Sequence, residues 1–213
     1  MLNLSPATLI TRIITLIIAF SVHEFAHAWS ATQLGDDTPR LHGRLTLNPL
    51  AHLDVLGSLM LLVAGFGWAK PVPVNAYALM RRSPAGLMWV ALAGPISNLL
   101  LAILAAVPLR MGLFPITSGG GFLPSAYAFL FEFMAINLLL MLFNLIPLAP
   151  LDGEKVATYF LPARWARAWD GIRPYSPLIL MALIFVLPMA GIDLIGWIMR
   201  PAMNNLISLL IGA

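Results

Sequence analysis

The feature that most restricts the fold of this chain is a series of apolar runs, each long enough to cross a membrane. The first run covers residues 7–29. As a helix rising about 1.5 Å per residue, it would extend about 35 Å, more than the hydrocarbon thickness of a bilayer. Similar runs cover about 84–109, 125–148 and 176–194, and the stretch 195–213 is either a fifth span or a helix lying on the membrane.

The composition agrees with an integral membrane protein. Of the 213 residues, 60% are apolar and 10% are charged, against about 45–50% and about 25% in an average soluble domain. We therefore expect an all-α polytopic membrane protein with four or five transmembrane helices, forming a single membrane-embedded domain over 1–213. The basic residues lie in loops between apolar runs, so we expect the lipid bilayer and no nucleic acid as a partner.

The segment between the first two long runs does not favour a membrane-crossing helix. Residues 55–66 are apolar, but at about 12 residues they are too short to span a bilayer and are typical of a re-entrant segment. Pro71 and Pro73 follow, and two prolines separated by one residue favour extended backbone. The sequence therefore predicts a short re-entrant or extended segment near residues 55–75.

The basic residues also predict an orientation in the membrane. With four spans, nine of the 12 Lys and Arg residues fall on one side and three on the other. Because cytoplasmic loops are enriched in Lys and Arg, this bias places the N-terminus outside and the end of the first span at the cytoplasmic face. The three on the outer side are Arg12, Arg110 and Arg200.

The first span contains an H-E-x-x-H motif, formed by residues 23–27. Helical residues four apart share a face, so His23 and His27 can bind one metal ion. Glu24 points in a different direction and can reach a metal-bound water as a general base. Ionisable side chains are costly inside a membrane and indicate a functional site there. The motif therefore predicts a metal site within the first span.

A catalytic zinc site needs a third protein ligand. The chain has no cysteine, so the ligand must be a His, Asp or Glu residue. Asp152 stands out because Pro147 and Pro150 break the helix before it, and broken backbone at membrane depth usually lines a polar cavity. Gly153 allows a tight turn that directs the carboxylate inward. Alternatively, Asp152 only caps a following helix, and the residues alone leave both interpretations open.

Three motifs in this order resemble the signature of the site-2 protease family. They are H-E-x-x-H in the first span, Gly-Pro-x-x-Asn at 94–98, and Asn-x-x-Pro-x-x-Pro-Leu-Asp-Gly at 144–153. Residues 43–49 and 70–75 also resemble the short prokaryotic branch of this family. From the length of 213 residues we expect neither the PDZ nor the CBS domain that other members carry. The resemblance implies one zinc ion bound by His23, His27 and Asp152, with Glu24 as the catalytic acid and base.

The resulting hypothesis is a zinc-dependent intramembrane endopeptidase of the prokaryotic plasma membrane. Its substrate would be a transmembrane segment of another membrane protein, expected to be single-pass. Asn98 and Asn144 are candidates for a neutral donor to the developing oxyanion, or they form hydrogen bonds between helices. Val72 and Val74 would bind the unwound substrate by strand addition, or they belong to a plain structural loop.

Two other functions fit parts of the sequence. An intramembrane metal transporter or channel would also use His and carboxylate ligands. Transporters, however, usually show related halves or a series of sites. This sequence shows no repeat, and a transport site has no need of a general base such as Glu24. An inactive member of the same fold would be expected to lack one of the four motif residues, and all four are present.

Overall fold

The computed structural model describes residues 5–54, 57, 69–117 and 122–212. The described residues are mainly helical, and their one β-type pairing is an isolated antiparallel bridge. The helices are α1 (Pro6–Gln33), α2 (Thr38–Leu41), α3 (Ala76–Arg82), α4 (Gly86–Arg110), α5 (Ala126–Asn144), α6 (Asp152–Phe160), α7 (Ala163–Ile172), α8 (Ser176–Met181), α9 (Leu187–Met189) and α10 (Leu194–Ile211). Short 3-10 turns lie at Pro49–Ala51 and Arg173–Tyr175, and a π-helical turn lies at Ala182–Val186.

Five helical stretches are long and apolar enough to cross a membrane. They are Pro6–Gln33, Gly86–Arg110, Ala126–Asn144, Arg164–Met189 and Leu194–Ile211. The expectation of an all-α polytopic membrane protein is therefore confirmed, and by length and composition the C-terminal stretch qualifies as a fifth span. The fourth stretch begins earlier than the apolar run predicts, because 3-10 and π turns continue the helical path from α7 to α9.

The two long helices α1 and α5 begin at side-chain caps. The hydroxyl of Ser5 accepts the N–H of Thr8 at 3.2 Å, and Pro6 occupies the first turn of α1. Ser125 accepts the N–H of Ala128 at the start of α5 in the same way. Such caps satisfy backbone donors that the first helical turn leaves unpaired. The serines therefore fix where both spans begin.

Helices α1, α4 and α5 form the packed centre of the protein. Half of the most apolar window of α4 is buried, whereas the last two spans are 11% and 6% buried. Small side chains let membrane helices approach closely, and α4 presents alanines to larger side chains of α5. This cluster contains Ala102, Ala105, Ala106, Leu109, Phe133, Met134, Leu138 and Met141. An ion pair of 2.7 Å between Arg12 and Glu132 also joins α1 to α5.

The segment near 55–75 is described only in part. Residues 55–56 and 58–68, including most of the predicted re-entrant run, lie outside the described residues. Leu53 pairs with Ala69 in an antiparallel bridge, and the N–H of Lys70 donates to the carbonyl of His52 at 2.7 Å. Residues 70–75, which we call the 70–75 strap, are not helical. This is what Pro71 and Pro73 predict.

Candidate metal centre

Two histidines of α1 meet an aspartate at the start of α6. The distance from His23 Nε2 to Asp152 Oδ2 is 3.2 Å, and that from His27 Nε2 to the same oxygen is also 3.2 Å. The two Nε2 atoms lie 3.1 Å apart. Within the described part of the chain, these residues form the one group of three or more potential ligands whose atoms come this close. Distant parts of the sequence therefore converge on one small site.

The triangle formed by these three atoms fits a single zinc ion. Tetrahedral zinc with bonds of about 2.0–2.1 Å holds its ligand atoms about 3.3–3.4 Å apart. The observed separations of 3.1–3.2 Å are close to that value. Two imidazoles and one carboxylate are also a donor set that zinc accepts, with the fourth position open. The residues present therefore fit the metal that the motif predicts.

A backbone carbonyl of α4 orients one of the two histidines. His27 Nδ1 lies 2.7 Å from the carbonyl oxygen of Val90. Because a carbonyl oxygen can only accept, Nδ1 carries the proton and Nε2 presents its lone pair to the site. The Nδ1 atom of His23 is buried and has no protein partner among the described residues. The two histidines are thus held differently, and among the described residues an orienting bond is formed by His27 alone.

Gly94 explains how α4 can pass directly beside the imidazoles. A Cβ atom at this position would lie 2.5 Å from Cε1 of His23 and 2.5 Å from Nε2 of His27. These distances are too short for any side chain, so only glycine allows this approach. Pro95 follows and lacks the N–H that would continue the helical hydrogen bonds. The Gly-Pro pair therefore serves helix packing at the metal site.

Asp152 reaches the site from the first turn of α6. Leu151 occupies the N-cap position, and no side-chain capping bond is formed there. The interpretation of Asp152 as a helix cap is therefore wrong, because its carboxylate is directed to the imidazoles instead. Gly153 is required next to it, since a Cβ atom there would collide with the carbonyl groups of Leu145 and Ile146. The break before α6 thus folds back tightly against the end of α5.

Glu24 lies beside the metal ligands and is almost fully buried, with 8% of its surface exposed. Its Oε2 atom accepts the backbone N–H of Val72 at 3.2 Å. The 70–75 strap therefore contacts the predicted general base directly. Val74 packs against a cluster of α1, α3 and α4 formed by Ala31, Leu79 and Val90. Both valines predicted to bind substrate thus lie on a strap held against the site.

The two predicted asparagines differ in their surroundings. Asn98 is 1% exposed, and neither atom of its amide group has a partner within the described residues. It lies one helical turn after Gly94, on the same face of α4. Asn144 is partly buried, and its Nδ2 donates to the carbonyl of Leu140 within α5 at 3.0 Å. The alternative role of both residues, hydrogen bonding between helices, is therefore not met in the part of the chain described.

Sequence reasoning did not identify the contributions of Val90 and Gly94. Val90 acts through its backbone carbonyl, which no side-chain motif reveals. Gly94 belongs to a recognisable motif, but a glycine next to Pro95 inside an apolar span is also a signal for close approach of another group. Both contributions depend on how α4 is rotated against α1, and spacing within one helix does not specify that rotation.

Comparison with known proteins gives relatives of one kind. The chain is 39% identical to "Putative zinc metalloprotease YwhC" of Bacillus subtilis over 193 residues, which are 90% of this chain and 85% of that protein. It is 30% identical to "Putative zinc metalloprotease Rip2" of Mycobacterium tuberculosis over 184 residues, which are 85% of this chain and 67% of that protein. A protein of the same name from Mycolicibacterium smegmatis is 30% identical over 174 residues, which are 79% of this chain and 64% of that protein. No family model and no solved structure matches.

The contact at Gly94 predicts that metal binding will be weakened in Gly94→Ala. The added methyl group must displace both imidazoles, so we expect zinc affinity to fall by about 10- to 100-fold or more. Gly171→Ala is the matched control, because a Cβ atom at Gly171 meets nothing within 4 Å. Zinc titration of both purified variants measures the effect. Wild-type zinc affinity in Gly94→Ala would contradict the described packing of α4 against the site.

Proposed function

This chain belongs to the site-2 protease family, and from that premise we propose that it is a zinc-dependent intramembrane endopeptidase. It would cleave a transmembrane segment of another membrane protein, expected to be single-pass. The observation that carries this proposal is the convergence of His23, His27 and Asp152 within 3.2 Å, beside the buried Glu24. We further propose that residues 1–213 act as a single membrane-embedded protease domain.

The metal ligands in this proposal are His23, His27 and Asp152, which would hold one zinc ion. When bound, zinc supplies Lewis-acid chemistry, activating water and polarising the scissile carbonyl. The bond from His27 to Val90 keeps one imidazole in the tautomer that binds metal. The compact triangle of three donors, with no fourth protein ligand in the group among the described residues, supports this assignment over a structural metal site with four protein ligands.

The proposed general base and acid is Glu24. Its carboxylate would accept a proton from the attacking water and deliver it to the leaving amine. Its burial keeps bulk water away, and the Val72 N–H holds Oε2 on one side. The other carboxylate oxygen, Oε1, has no hydrogen-bond partner within the described residues. A base held in this way fits a hydrolase better than a transport site, which has no reaction that needs a proton acceptor.

A neutral amide would stabilise the negative charge that develops on the scissile carbonyl oxygen. Asn98 has the stronger support, because its buried amide group is without a partner among the described residues. An unpaired buried amide is costly unless a ligand or water completes it. Asn144 remains the second candidate, although its Nδ2 already donates within α5. Both assignments favour an uncharged donor, which costs less than a cation at membrane depth.

The 70–75 strap is proposed to bind the substrate after its helix has unwound. A helical segment pairs its own backbone groups, so cleavage requires an extended conformation. The N–H of Val74 and the carbonyls of Val72 and Val74 form no hydrogen bond within the described part of the chain, so an added strand could pair with them. The Val72 N–H already binds Glu24, so Val72 would contribute its carbonyl to this pairing.

The five candidate spans indicate a multi-pass membrane protein. We propose that it lies in a prokaryotic plasma membrane with its N-terminus outside, because the basic residues concentrate on the opposite side. The relatives named above come from bacteria, which supports the membrane type. His23 and His27 fall in the second half of α1, so the active site would lie nearer the cytoplasmic face.

Glu24→Gln tests the proposed chemistry. The amide keeps the size of the side chain but cannot accept the proton, so we expect cleavage to fall by about 10²- to 10⁴-fold with zinc retained. The assay uses liposomes with a panel of single-pass segments, and metal analysis accompanies each variant. Glu132→Gln is the control, since Glu132 pairs with Arg12 on the far part of α1. Near-normal cleavage by zinc-loaded Glu24→Gln would refute the proposal.

Cross-linking tests the role of the strap in substrate binding. The chain has no cysteine, so Val72→Cys or Val74→Cys carries a photoreactive group at one position only. In a Glu24→Gln background, we expect both positions to capture a transmembrane substrate. Ile116→Cys is the control, because Ile116 is 83% exposed in the connection after α4. Capture from the strap no greater than from Ile116 would rule out strand addition.

Single cysteines also test the proposed orientation. Ile116 and Leu41 are 83% and 84% exposed and lie in connections on opposite sides of the membrane in this arrangement. We expect a membrane-impermeant maleimide to label Ile116→Cys in intact cells and to label Leu41→Cys only after permeabilisation. The reverse pattern would place the N-terminus inside.

A further inference from the structure

One peptide unit of the 70–75 strap is bonded at both ends by buried charged side chains. The carbonyl of Pro71 accepts from Nη2 of Arg44 at 3.2 Å, and the N–H of Val72 donates to Oε2 of Glu24 at 3.2 Å. These two groups belong to the same trans peptide unit, so they point in opposite directions. Arg44 and Glu24 therefore hold one peptide plane from opposite sides.

The remaining bonds of Arg44 also go to backbone carbonyls. Its Nη1 donates to Ala51 at 2.6 Å and to Lys70 at 3.2 Å, and the residue is 5% exposed. No carboxylate forms an ion pair with Arg44 within residues 5–54, 57, 69–117 and 122–212. A buried cation without an anionic partner is costly. The negative charge nearest to it along the hydrogen bonds is Glu24, on the other side of the Pro71–Val72 peptide.

We propose that Arg44 is a positioning residue for the reaction and acts on Glu24 through this peptide unit. Its guanidinium fixes the plane so that the Val72 N–H stays directed at Oε2. Its charge also polarises the peptide, and hydrogen bonds in such a chain strengthen one another. Glu24 is then held in one orientation, with Oε1 free for proton transfer. This inference rests on the proposed role of Glu24 as general base.

Asp36 offers a comparison, because it also binds the backbone of the 70–75 strap. Its carboxylate accepts the N–H of Asn75 at 2.6 Å and the N–H of Thr38 at 3.0 Å. Asp36 therefore anchors the far end of the strap to the end of α1, and its hydrogen bonds do not include the Pro71–Val72 peptide. For a residue that only fastens the strap, such as Asp36, the effect of replacement should not depend on the Val72 N–H. For a residue that acts on Glu24, the effect of replacement should disappear once that N–H is removed.

Hydrogen exchange tests the geometry without any substrate. Proline has no amide hydrogen, so residues 70–74 carry only the amides of Lys70, Val72 and Val74. We expect the Val72 amide to exchange at least tenfold faster in Arg44→Met than in the zinc-loaded wild type. Arg40→Met is the matched control, because Arg40 lies in the same connection but is exposed and pairs weakly with Asp37 at 3.9 Å. Unchanged exchange in Arg44→Met would overturn the proposal.

Kinetics test whether Arg44 acts through the peptide. We expect Arg44→Met to lower kcat about tenfold or more, with KM changed less than about threefold and the zinc content unchanged. Arg44→Lys keeps the charge and should recover part of kcat. Val72→Pro removes the N–H, because proline has no backbone amide hydrogen, and its ring takes the place of the N–H beside Glu24. In a Val72→Pro background, Arg44→Met should cause little further loss, because the bond it supports is already gone.

Each result separates this inference from the proposed function. Full activity of Glu24→Gln would refute the proposed function, whatever the exchange data show. If Glu24→Gln is inactive, but Arg44→Met and Val72→Pro lower kcat by independent factors, only the role of Arg44 is wrong. If Arg44→Met yields no folded protein, Arg44→Gln, which is also uncharged, takes its place in both the exchange measurement and the double-variant comparison, with the same outcomes counting for and against.

Discussion

The structure depends on one constraint, which is that α1 carries two histidines and a glutamate inside an apolar bundle. Ionisable groups in such surroundings must bind one another, a metal or the backbone. His27 is held by the Val90 carbonyl of α4, Asp152 closes the triangle from α6, and Glu24 binds the strap. The packing of α1, α4 and α6 and the position of the strap all follow from satisfying these three side chains of a single helical turn.

Much of this arrangement could be predicted from local chemistry. The helical spacing of His23 and His27 and the prolines that break the chain before Asp152 both leave clear traces in the sequence. The extent of the fourth span is harder to predict from the sequence, because Pro174 lies in a 3-10 turn that continues the helical path instead of ending it. The contact of Gly94 with the imidazoles could not be derived, since it depends on the rotation of α4 against α1.

The strap shows the same division between what sequence patterns specify and what packing decides. Pro71 and Pro73 predict a segment without helix, and the described residues agree. They do not predict that the Val72 N–H turns toward Glu24, or that Arg44 binds the carbonyl of the same peptide unit. Those bonds join residues that are 48 and 27 positions apart in the chain. Such pairings appear only once the connections between the spans have been placed in space.

The few buried charges among the described residues explain how an irregular strap is held in place. Glu24, Asp36, Arg44 and Glu154 are the charged residues buried among those described, and the first three each bond to the strap backbone. Buried backbone groups need partners, and prolines deny this segment a regular ladder. Side chains therefore hold it from α1 and the connection that follows. The N–H and the carbonyl of Val74 and the carbonyl of Val72 have no hydrogen-bond partner among the described residues. Strand addition by a substrate requires such unpaired groups.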